Sequence, residues 1–148
     1  MEGKYTKVSA LAGILALGIT IWQVAPSSKT NYSGEWKMIS KIETTEFKNF
    51  IGIEIEWVLH LSHSGNQISG TGEKISVNSE RLNFRDRTML TLSGTIDEDQ
   101  FVLNYIEKGP RRETRGTLTG QFNNELFSGI ISSTAANSKG KISGSKVK

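Results

Sequence analysis

The chain has 148 residues, a net charge of +3 from 18 Lys and Arg against 15 Asp and Glu, and no cysteine. The missing thiols exclude disulfide staples, thiolate zinc clusters and cysteine nucleophiles. A charge this near balance, with no long basic stripe and no RNA-binding aromatic signature, gives no basis for a polymeric nucleic acid as partner.

The first predicted element is an uncharged run from Val8 to Ala25, bounded by Lys7 and Lys29. About 18 residues at roughly 1.5 Å each give about 27 Å of helix, close to the roughly 30 Å hydrocarbon thickness of a bilayer. The run exceeds a signal-peptide core, lacks a good Ala-x-Ala site and is followed by Pro26, so it reads as one uncleaved transmembrane helix, with Trp22 near its C-terminal end as an interfacial aromatic. Ala12, Ala16 and Thr20 share one face, with Gly13 and Ser9 on the next, a small-residue spacing that lets helices pack closely in lipid. Lys4 and Lys7 on one side balance Lys29 and Lys37 on the other, so flanking charge leaves the orientation open. The expected division is therefore 1–25 for tail and helix, 26–33 for a polar linker and 34–148 for one domain. The roughly 118 residues beyond the anchor region are enough for a core of their own.

Past the linker the hydrophobic period changes from helical to two. Trp36 starts a strand reaching about Glu43. From Ile51 to Ser62, Ile51, Ile53, Ile55, Trp57, Leu59 and Leu61 alternate with polar or smaller partners, which places one face in a core and one in water. Ser64-Gly65-Asn66 is a hairpin signal, and Gln67–Val77 returns. Further strands are expected over Arg81–Thr88, Met89–Asp97, from Phe101 past Tyr105, over Thr114–Phe122 and Leu126–Ser133, with a last one around Lys141–Ser143. Strands joined by tight turns with no helix between them predict an all-β fold, a minimal antiparallel up-and-down barrel of about eight strands. Glycines inside those strands fit the bends that close a small barrel.

No catalytic constellation emerges. His60 and His63 lack an acidic pair at ligand spacing, Glu54 and Glu56 lie on the polar face of their strand, and no Gly-x-Ser-x-Gly elbow is present. Ser69-Gly70-Thr71-Gly72-Glu73-Lys74 lacks Walker spacing and a following helix. Neither enzyme activity, a metal nor a resident cofactor is expected. Cations are more informative. Arg111, Arg112 and Arg115 cluster with Lys108 after Tyr105, and Arg81, Arg85 and Arg87 form a second group. Guanidinium groups grip phosphates bidentately, and Tyr105 or Trp57 could stack on a base. The plain alternative is that turn arginines keep strand edges soluble.

A membrane segment ahead of a minimal antiparallel barrel, with Gly34-Glu35-Trp36-Lys37, Ile68–Lys74, Tyr105–Gly109 with Arg111-Arg112 and Gly116, and Ser133–Ala136, resembles the transmembrane β-barrel effectors of cyclic-oligonucleotide anti-phage signalling (CBASS), functional analogues of STING. The resemblance implies a single-pass protein of the bacterial inner membrane with a cytosolic barrel. That barrel would sense a cyclic dinucleotide made by a partner synthase and form a homo-oligomer whose clustered membrane segments disrupt the bilayer. On it, Arg111, Arg112, Arg115 and Lys108 would contact phosphates, and Tyr105 or Trp57 a base. That family typically carries two membrane helices ahead of the barrel, and this chain has one. Two other readings stay open: a signal-anchored extracytoplasmic barrel of lipocalin- or avidin-like kind binding a hydrophobic small molecule or a protein, and a ligand-free accessory subunit.

Overall fold

The computed structural model describes residues 30–148. The 8–25 span, with Ala12, Gly13, Ala16 and Thr20, lies outside the described residues. No helix among the described residues is long and apolar enough to cross a membrane.

The described residues form nine strands: β1 (Gly34–Thr44), β2 (Glu54–Ser64), β3 (Gln67–Val77), β4 (Glu80–Arg81), β5 (Met89–Asp97), β6 (Gln100–Lys108), β7 (Glu113–Asn123), β8 (Leu126–Ser133) and β9 (Ser138–Lys146). Hydrogen bonding runs β2-β1-β9-β8-β7-β6-β5-β3, and β2 pairs with β3, so eight strands close into an antiparallel barrel. β4 is an extra two-residue strand on the end of β3. Closure leaves no long unpaired edge among the described strands.

Period-two alternation turns one residue set inward. Met38, Leu59, Ile68, Leu92, Leu103 and Leu118 are buried inside the barrel, while intervening positions such as Lys37, Thr91 and Thr119 are exposed. Bulky rings fit because glycine stands opposite them on the next strand: Tyr105 faces Gly116, Phe101 faces Gly120 and Phe127 faces Gly144. A Cβ on Gly116 would lie 2.6 Å from the Tyr105 ring, and one on Gly120 2.8 Å from Phe101 Cζ.

The two ends differ. One is plugged by Tyr32, Trp36, Phe101, Phe122 and Phe127, with Tyr32 stacked on Phe122 at 4.0 Å between ring centres. The chain enters the barrel here, and Tyr32 straps it down. Its hydroxyl bonds Asp99, its amide donates to His63 Nδ1 at 3.2 Å, and its carbonyl accepts from Trp36 Nε1 at 2.9 Å. The other end opens into a cavity rimmed by the β1–β2, β6–β7 and β8–β9 connections.

Two strand expectations are corrected. β2 begins at Glu54 instead of Ile51, because Gly52 takes φ 82° and residues 48–50 form a 3-10 turn, so the extended chain cannot run back through them. Of Arg81–Thr88 only Arg81 is in a strand; residues 84–86 form a 3-10 turn and Phe84 is 84% exposed. β5 already occupies the edge of β3 from Gln67 to Glu73, leaving only Ser76 and Val77 for β4.

Candidate functional site

The open end holds a cavity of about 780 Å³. Its walls come from residues continuing the inward alternation: Ser40 and Ile42 of β1, Ile55 and Trp57 of β2, Tyr105 and Glu107 of β6, Ile131 and Ser133 of β8. On β3 a bulge intervenes. Glu56 pairs with Ser76 but Trp57 pairs with Lys74, so Ile75 is the extra residue, and both Lys74 and Val77 line the cavity.

Glu107 Oε1 receives Lys74 Nζ at 2.5 Å and Thr88 Oγ1 at 2.6 Å. Lys74 and Glu107 are 18% and 16% exposed, and Lys74 Nζ also lies 5.0 Å above the Trp57 ring. Trp57 Nε1 donates to Ser40 Oγ at 3.2 Å. Burial pushes the Tyr105 phenol above its ordinary value of 10.0; a hydrogen bond with Ser133 pulls it back, and the Glu107 charge adds to the rise. At neutral pH Tyr105 is therefore an uncharged hydroxyl at the cavity wall.

The sequence-derived candidates divide. Trp57, Tyr105, Arg111 and Arg112, far apart along the chain, line the same cavity. The two arginines sit on the β6–β7 turn, closed by Gly109 N–H donating to Arg112 O at 3.0 Å, and neither is in an ion pair among the described residues. Arg115 does not join them. Thr114 is buried inward, so Arg115 is exposed on the outer face, with Nη2 2.7 Å from Glu113 Oε1. Lys108, next to inward Glu107, is exposed and also outside the cavity lining. Trp57 and Tyr105 are almost wholly buried and show the cavity little of their rings. Of the second arginine group, Arg87 is tied to Glu73 at 3.3 Å and to the Leu82 carbonyl at 3.4 Å.

Sequence reasoning missed Lys74, Glu107 and Thr88 as site residues. The signal was present for two of them: Lys74 continues the inward series of Ile68, Gly70 and Gly72, and Glu107 that of Leu103 and Tyr105. Among the described residues the charges at the cavity are Lys74, Arg111, Arg112, Lys139 and Glu107, four cations against one carboxylate. Such a site favours an anion, with hydroxyls and aliphatic walls to receive its body. No protein-family model, no curated protein and no solved structure matches the chain.

Proposed function

We propose that the chain is a membrane-tethered receptor whose barrel binds a soluble anionic ligand of the cyclic-dinucleotide class. Binding drives self-association, and the N-terminal segments are its membrane-disrupting output. The observation that carries the ligand reading is the four-to-one excess of cations at a cavity of about 780 Å³ that also includes Trp57 and Tyr105. Placement supports it as well. The chain joins the barrel at the aromatic-plugged end, so a tether there points the cavity mouth away from its own membrane. A strand of 11 residues spans at most about 36 Å, which sets the scale of that separation. Such a mouth receives a ligand from the aqueous phase. Output follows only if the nucleotide binds the assembled form more tightly than the monomer.

The aliphatic wall of Ile42, Ile53, Ile55, Val77 and Ile131, with so little ring surface showing, favours a second reading: an extracytoplasmic lipocalin- or avidin-like barrel holding an apolar ligand. Titration calorimetry on the full-length chain in lipid nanodiscs, with a panel of cyclic dinucleotides and a soluble short-chain fatty acid, separates the two. Heat with a dinucleotide supports the receptor; heat with the fatty acid alone supports the second reading. A C-terminal reporter fusion tests the topology, since a barrel outside the cytosol contradicts the nucleotide effector.

A further inference from the structure

We propose that Glu107 is the base-reading residue of the cavity and that it selects guanine over adenine; the inference rests on the nucleotide reading above. A carboxylate beside an anionic ligand is repulsive unless it meets hydrogen-bond donors. Among the described residues Glu107 is the only acid lining the cavity. One of its oxygens, Oε1, is committed to Lys74 Nζ and Thr88 Oγ1, which fix the side chain in place. The other has no partner among the described residues, and no buried side-chain polar atom there is left unpaired. Oε2 is therefore not sealed from solvent, an acceptor without a donor. Lys74, held between Oε1 and the face of Trp57, offsets the charge of the carboxylate and leaves Oε2 to act as a hydrogen-bond acceptor.

An ionised carboxylate only accepts. Guanine offers N1–H and the exocyclic N2–H side by side, two donors that converge on such an oxygen. Adenine places the N1 lone pair next to its single exocyclic donor, so the same approach sets lone pair against carboxylate. Uracil flanks its one N–H with two carbonyls. Discrimination of this kind comes from the mismatched partner left against a fixed buried group as much as from the matched one. The mouth arginines would hold the phosphates while Glu107 tests the base.

The test is titration calorimetry of cyclic di-GMP and cyclic di-AMP on the full-length chain and on Glu107→Gln. Glu107→Gln replaces one oxygen by an amide of the same shape, and a thermal melt reports its folding. The expected result is cyclic di-GMP binding at least about tenfold more tightly to the native chain, with the ratio in Glu107→Gln falling to within about threefold. Equal affinities or an adenine preference in the native chain overturn the proposal, whether or not the variant folds. So does a Glu107→Gln chain that weakens both ligands alike. Binding of neither dinucleotide, or of other cyclic dinucleotides only, overturns it too, and the first of these also removes the nucleotide reading.

Discussion

Gly116 and Gly144 show how single residues set the bore of the barrel. Each lies directly across a ladder from an aromatic ring, Tyr105 and Phe127, and the ring occupies the space a side chain would need. Gly144→Val forces the Phe127 ring off its rotamer, and Gly116→Val meets the Ser132 carbonyl as well as the Tyr105 ring, so each loses about 1–3 kcal/mol or more and lowers the melting temperature. Tyr105 makes a second prediction. Its phenol pKa is raised above 10.0 by burial, with the Glu107 charge adding and the Ser133 hydrogen bond opposing. A raised value means its contribution to stability is complete below pH 10 and is lost as pH rises through the folded value. Melts across the alkaline range should therefore fall more steeply for the native chain than for Tyr105→Phe. Equal slopes would contradict the burial of that hydroxyl.

Among the elements, the strap ahead of β1 is the least conspicuous in sequence and among the most heavily bonded. Tyr32 lies in a stretch that reads as linker, yet it is 3% exposed, stacked on Phe122 and bonded to Asp99 and His63. Tyr32→Ala should cost about 3–5 kcal/mol, as removal of a buried aromatic does, whereas Tyr32→Phe loses only a hydroxyl bond of about 1 kcal/mol. Denaturant titration of the two variants checks the difference; near-equal losses would show that the ring does not plug the barrel end. Nothing in the local composition of 26–33 announces this, because Tyr32's hydrogen-bond partners, His63 near the end of β2 and Asp99 in the β5–β6 turn, are 31 and 67 residues away. The strands were far more legible. β5 and β8 have the bounds their alternation and turns predict, since both faces of a strand are fixed by period two. The same rule separates Arg115 from Arg112: once Thr114 is inward, Arg115 is outward. Clustering by sequence distance ignored that parity. Lys74 and Glu107 escaped for the opposite reason, being charges at inward positions where the pattern leads one to expect apolar side chains.

For the whole molecule, closure and polarity matter together. Pairing of β2 with β3 turns a linear meander into a barrel, and the aromatic plug at one end leaves the other as the entrance to the cavity. The chain enters at the plugged end, so the cavity mouth and that point of entry occupy opposite poles. That arrangement, more than any single residue, favours a soluble ligand over a membrane-derived one. Under the proposed function it also asks the barrel to pass its signal through self-association, since the cavity lining includes no residue of the plugged end.

The central claim is that Arg111 and Arg112 admit an anionic ligand to this cavity, and it is tested most directly by titration calorimetry of the full-length chain with cyclic dinucleotides. Both arginines are exposed and in no ion pair among the described residues, so the Arg111→Ala, Arg112→Ala double variant should melt as the native chain does. The account predicts saturable binding of at least one dinucleotide, weakened by about tenfold or more in the double variant. Absence of heat with every dinucleotide, or binding that the double variant leaves unchanged, would contradict it.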